Sequence, residues 1–352
     1  MPVNKKIWNR RDFLKGIGLG TLGGLALGQE AFGLGRAFFS TSTHHHLGQL
    51  YKKVTEPARV SLVKGDDRYK IVYQSLKAIE DEVLSSIGNK KILLKPNVVL
   101  ADNPLSVTHV DAVRAILDFL RPHHKEQIII GEGGNQKTFD GFRNYGYLEL
   151  EESYNAKLVD LNQGAYEYRY VFGSENQPLA VRISSIFFDP NVYVISAARM
   201  KTHNKVLVTL SLKNVLLGCP INDYKKNDKG LFHTAPVAVN DLCHFNMFHI
   251  SQEVFPDLAV IDGFESMEGN GPAWGTPFNS RVALASLDAL AADTVATRIM
   301  GFDPKRVLYL SAMTEAGMGQ GEMEKIKVVG TALDQCLYKF KPHEDMARLY
   351  KL

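Results

Sequence analysis

Arg199, Lys201 and His203 alternate in the middle of the chain, and ten residues beyond the imidazole stands Lys213-Asn214. An imidazole has an ordinary pKa of about 6.5, so it can trade a proton at ambient pH. Lys213 sits in the apolar run Val-Leu-Val-Thr-Leu-Ser-Leu-Lys-Asn-Val-Leu-Leu, residues 206–217. Burying an ammonium there without a partner would cost several kcal/mol, about the scale of a whole buried ion pair, so it must be paired or reach a cavity. The composition reads as a helix over 206–217, which would put Thr209 and Lys213 on one face with Val206, Leu210 and Val215 behind. His203 as acid/base and Lys213 beside it are therefore the candidate catalytic pair.

Residues so far apart need a scaffold whose loops converge. From Arg59 the chain alternates short β-rich runs with amphipathic helical windows, the pattern of crossovers in a mainly parallel sheet. Strands are expected at 59–63, 92–94, 128–130, 158–161, 168–172, 192–196, 258–261, 282–285 and 326–329. Helices are expected at 71–87, at 109–120 with Thr108 as cap, at 240–254, and at 288–299 with Asp288 as cap. The predicted fold is a three-layer α/β/α body. In such sheets ligands collect beyond the carboxyl ends of the strands. At those ends stand Lys95 and Asn97, then Glu132, then Arg199, Lys201 and His203, then Asp262 and Glu265. A cleft so lined would hold a small anionic ligand, with Lys95, Asn97, Lys201, Thr209 and Asn214 as the binding set. Glu132, Asp262, Glu268 and His233 are candidate metal ligands, although no local spacing enforces that. The Gly-rich stretch 263–275 is of the kind that covers a ligand.

Composition bounds the rest. The chain has 352 residues, 45% hydrophobic, with 41 basic and 38 acidic side chains for a net charge of +3. That balance is globular and carries no basic stripe for a phosphate backbone, so nucleic acid is not an expected partner. Cys219, Cys243 and Cys336 are widely spaced, with no C-x-x-C pair, and cannot by themselves hold an iron–sulfur cluster. Gly131-Glu-Gly-Gly-Asn-Gln-Lys137-Thr138 follows a strand but has Gln136 where a phosphate loop needs its second glycine.

Positions 5–15 read Lys-Lys-Ile-Trp-Asn-Arg-Arg-Asp-Phe-Leu-Lys and lead into a Gly-rich apolar stretch ending at Gly28. This order resembles a twin-arginine export signal. As a helix the stretch would reach only about 20 Å against a hydrocarbon layer of about 30 Å. The resemblance implies a signal over 1–33, a flexible leader over 34–58, the twin-arginine translocase as a partner, and an exported, periplasmic or other extracytoplasmic destination. Retention of an uncleaved signal as an anchor stays open. A single domain is expected over 59–335, with a small inserted lobe within 140–190 and a C-terminal tail over 336–352.

Lys95-Pro-Asn97, Glu132, Lys201-Thr-His203, Thr209-Leu-Ser-Leu-Lys213-Asn214 with Gly218, Asp262-Gly263 and Glu268-Gly-Asn-Gly271-Pro272 together resemble domain-of-unknown-function family 362 over about residues 59–330. Relatives of that kind carrying ferredoxin modules imply redox work and a redox partner protein. The ten-residue interval from His203 to Lys213 is also similar to the nickel-pincer lactate racemase domain, with Ser211-Leu212 where Gly-Gly is usual. That likeness implies a racemase-like enzyme with a lysine-held cofactor. The remaining alternative is a non-catalytic factor that binds or matures a metal or cofactor for a partner.

Overall fold

The computed structural model describes residues 57–135, 137–175, 177–233 and 241–351. The export signal and nearly all of the leader lie outside the described residues.

The strands are β1 (Ala58–Lys64), β2 (Lys91–Lys95), β3 (Ile128–Glu132), β4 (Ala156–Asp160), β5 (Tyr166–Phe172), β6 (Pro178–Ser184), β7 (Val192–His203), β8 (Leu207–Thr209), β9 (Leu258–Glu268), β10 (Thr276–Phe278), β11 (Val282–Ser286) and β12 (Ile326–Gly330). The helices are α1 (Arg68–Lys77), α2 (Glu80–Ile87), α3 (Val110–Leu120), α4 (Thr138–Asn144), α5 (Leu148–Ser153), α6 (Ser211–Leu216), α7 (Asp228–His233), α8 (Asp241–Ser251), α9 (Ala289–Ile299), α10 (Leu308–Glu315) and α11 (Glu344–Tyr350). Among the described residues ten strands form one sheet, in the order β12-β1-β11-β9-β7-β2-β3-β4, with β10 on β9 and β8 on β7. The path is parallel except where β11 runs antiparallel to β1 and β9. The fold class is thus the expected α/β, with a mainly parallel sheet and helices on both sides.

Period-two burial makes the layers. Ile92 and Leu94 enter one core with α1, α2 and α3, while Leu93 enters the other with α6, α8, α9 and α10. In β9, Leu258 and Val260 face the first core, and Ala259 and Ile261 the second. A strand covered on both faces reads as an unbroken apolar run, which is why the parallel strands were visible in the sequence.

Local chemistry redrew several boundaries. The single helix expected at 71–87 is two, because the chain leaves helical geometry at Ile79, which stays buried. His109, not Thr108, caps α3 by accepting the N–H of Asp111, and the Thr108 hydroxyl instead donates to Ala197 O at 2.7 Å. Residues 206–217 are not one helix. Val206, Val208 and Thr209 are β-branched, and 207–209 pairs antiparallel with the end of β7, placing Lys201 opposite Thr209. Leu207 at the start of β8 holds φ 68°, and the helix begins only at Ser211. Thr209 and Lys213 therefore share no helix face. β5 and β6 form a separate two-stranded sheet, while β4 joins the edge of the main one. Phe340 and Met346, from the stretch expected to be a tail, are buried in the core.

Candidate functional site

Glu132 ends β3, between the ends of β2 and β4, and is buried. Its carboxylate accepts from Lys95 Nζ at 2.8 Å and from the backbone N–H groups of Val98 at 3.2 Å and Gly133 at 2.9 Å. Lys95 Nζ also donates to Asn214 Oδ1 and Pro96 O. The Asn214 amide has all its capacity used: Oδ1 accepts from Lys95 and Asn97, and Nδ2 donates to Lys95 O and Ser196 Oγ. Asn97 passes the network on, because its Oδ1 accepts from Lys201 Nζ at 2.6 Å. Gly218 allows this packing, since a Cβ there would stand 2.3 Å from Lys95 Cε and 2.5 Å from Nζ.

The neighbouring strand end is set by the turn at 104–106, whose carbonyls face β7. Lys201 donates to Ser106 O at 2.7 Å, and Arg199 donates to Pro104 O and Val107 O. Beyond Lys201 the chain reverses into β8, and His203 Nδ1 accepts the backbone N–H of Lys205 at 3.0 Å and of Val206 at 3.4 Å. An accepting Nδ1 carries no proton, so the proton of the neutral ring lies on Nε2. α6 is held from afar: buried Asp293 on α9 accepts from Ser211 N at 2.8 Å and Leu212 N at 3.0 Å. Burial pushes that carboxyl up to about 8, against the downward pull of the two backbone N–H groups.

Together these elements wall a cavity of about 290 Å³ lined by Asn97, Glu132, His203, Lys213, Asn214 and Lys229 among others. Lys229 comes from α7, and the small β5–β6 sheet positions it. Arg182 on β6 bonds Asp228 and Asp223 at 2.5 and 2.7 Å, and Lys229 Nζ donates to Gly133 O. Desolvation brings Lys213 down to about 8, with Lys229 as the next cause, and brings Lys229 down to about 8 as well. Lys201 is pushed well below the usual lysine range by desolvation and then by Lys213. The lining carries one carboxylate and an excess of ammonium groups.

Of the expected site, Lys95, Asn97, Lys201, Asn214, Glu132, His203 and Lys213 gather at this cleft or in the network behind it. Thr209 does not line it; the side chain is buried, and its hydroxyl has no hydrogen-bond partner among the described residues. The expected metal set is dispersed. Asp262 pairs with Arg68 at 3.2 Å, Glu268 accepts from Lys341 N at 2.8 Å, and Glu132 is taken by Lys95. The His233 side chain lies outside the described residues. Among the described residues no group of three His, Cys, Asp or Glu could hold a metal ion. Lys229 was missed in the sequence because it follows no strand of the main sheet and depends on a turn tied down by Arg182.

Residues 92–298 match the family model DUF362, Domain of unknown function, and every lysine named at the cleft falls inside that span. The thylakoid-associated protein sll1697 of Synechocystis sp. is 28% identical over 250 residues, covering 67% of this chain and 73% of that protein. The solved lactate racemase apoprotein from Thermoanaerobacterium thermosaccharolyticum is similar at 14% identity and TM-score 0.43, covering 70% of this chain and 58% of that one. A crystal structure of a Thermotoga maritima protein shows 11% identity and TM-score 0.35, covering 72% of this chain and 59% of that one. The chain thus spans less than two thirds of the length of either solved protein.

Proposed function

The chain belongs to the DUF362 family, a domain of unknown function, and we propose that its cleft binds a small organic anion in a compartment outside the cytoplasm. The observation that carries this is the charge count at the cavity: Lys213 and Lys229 line it beside a single carboxylate, Glu132, which Lys95 already neutralises. Two part-buried ammonium groups of depressed pKa gain most from a ligand that brings negative charge, because its approach favours their charged forms. His203, protonated at Nε2, would supply a donor and Asn97 and Asn214 a polar wall. Lys95 and Lys201 support the site from behind. The twin-arginine-like head at Arg10-Arg11 supports an exported location, and the printed name of the Synechocystis relative, thylakoid-associated, agrees with a place at or beyond a membrane. No helix among the described residues is long and apolar enough to cross one.

Calorimetric titration of the folded, full-length protein with lactate, pyruvate and inorganic phosphate tests the reading. At least one anion should bind, and Lys213→Met or Lys229→Met should each weaken it by about tenfold or more, the scale of one charge-assisted hydrogen bond. Failure of all three anions to bind, or wild-type affinity retained in both variants, would end the proposal.

A further inference from the structure

We propose that the anion is an oxoacid and that Lys213 takes its aldehyde or ketone carbon as a Schiff base. The inference rests on the anion-binding reading of the same cleft and adds a chemical class to it. It starts from how the cations are used. Lys95 is spent on Glu132 and Asn214, Lys201 on Asn97 and Ser106 O, and Lys229 donates to Gly133 O. Lys213 also lines the cavity and is only 7% exposed, yet no hydrogen bond or ion pair reaches its ammonium among the described residues. Pure structural lysines are not left that way, since an unpaired buried charge is costly.

The surroundings bring the unprotonated amine within reach of neutral pH, the ammonium being lowered by desolvation to about 8. Apolar Leu212, Val215 and Leu216 are its neighbours along α6, and of the ionisable groups that act on it Lys229 and Lys95 lower the value while Cys243 and Glu132 raise it. A desolvated lysine beside another cation is the usual way to make a nucleophilic amine near neutral pH. The reaction needs no oxidant or reductant. The Lys213 nitrogen attacks the carbonyl carbon, a C–N bond forms, and the carbonyl oxygen takes protons and leaves as water, giving a protonated imine from amine, carbonyl and one proton. The imidazole of His203, whose proton lies on Nε2, can hydrogen-bond the departing oxygen without giving that proton up, and the two protons of the water come from the attacking Lys213 nitrogen and from solvent. The ligand carboxylate offsets the positive imine and the neighbouring ammonium groups, which a neutral aldehyde would not do.

The experiment is reductive trapping. Full-length folded protein is incubated with pyruvate or glyoxylate and sodium cyanoborohydride, then digested and mapped by mass spectrometry. The adduct should sit on Lys213 at about tenfold or more the yield at an exposed lysine such as Lys70, because an amine lowered to about 8 is unprotonated far more often near neutral pH than an ordinary lysine. Lactate, with the same charge and no carbonyl, should suppress it without leaving an adduct of its own, and Lys213→Arg should abolish it. The wild-type map stands alone should that variant fail to fold. Adducts spread evenly over surface lysines would overturn the proposal. Anion binding by calorimetry with no adduct would overturn the Schiff base and leave the anion site standing. Absence of both would remove the two together.

Discussion

The missing side chain of Gly218 lets Lys95 approach Glu132. The Gly218 Cα faces the lysine side chain with no room for a methyl group, because a Cβ would also stand 2.3 Å from Asn214 O. Gly218→Ala must push Lys95 off the carboxylate or shift α6. Overpacking of this kind costs about 1–3 kcal/mol, and leaving a buried carboxylate short of its cation adds to that. Urea unfolding should therefore show a loss of about 3 kcal/mol or more, with anion affinity falling in the same variant. A loss under about 0.5 kcal/mol, the range of an ordinary surface change, would mean the close contact is relieved without cost. Lys95, Asn97, Lys201 and His203 were legible in the sequence because strand ends in parallel sheets collect ligands, whereas Lys213 and Asn214 were singled out as polar residues in an apolar run whose expected single helix the structure divides into β8 and α6. Lys229 was not, since its placement depends on Arg182, 47 positions earlier by number, bonding Asp228.

Among the elements, α6 depends on a carboxyl group outside itself. Asp293 caps its first two N–H groups from α9, and its carboxyl is raised to about 8 in the folded protein against an ordinary value of about 4. Between those pH values the folded state holds a proton that the unfolded chain has released. Its contribution is full below pH about 4 and is lost as pH rises through about 8. Asp293→Asn should flatten that stretch of the stability–pH curve. The wild-type urea midpoint should fall from pH 5 to pH 8 relative to the variant's, so that wild type minus variant is larger at the lower pH. An unchanged difference would show that the carboxyl ionises normally. The sequence alone pointed to a longer helix through Thr209, because Val206, Leu210 and Val215 match helical spacing. Pairing with β7 decided otherwise, since a strand end offers Leu207–Thr209 backbone partners that an isolated segment does not have.

Across the whole molecule, the two apolar layers on either side of the sheet account for stability, and the C-terminal segment belongs to one of them. Cys336, Phe340 and Met346 are buried there, and Phe340 lies against Phe278 with ring centroids 4.3 Å apart. Ending the chain at residue 335 would strip these side chains from the core. Large-to-small core losses run to about 2–5 kcal/mol each, so the truncated protein should melt many degrees lower or fail to accumulate folded, read by calorimetric scanning. A melting temperature within a degree or two of the full chain would show that the segment is dispensable.

What the sequence by itself determined is periodicity and chemistry at strand ends: buried apolar runs announce a doubly covered parallel sheet, and the Lys-Thr-His to Lys-Asn block announces where polar groups meet. Only the tertiary structure decided which of those groups share the cavity. Asp262 lies inside β9, which runs on to Glu268 at its end, yet Arg68 and the Lys341 backbone claim these carboxylates. Charge partners are chosen by distance in space, and a pattern along the chain records residue type and spacing without recording that distance.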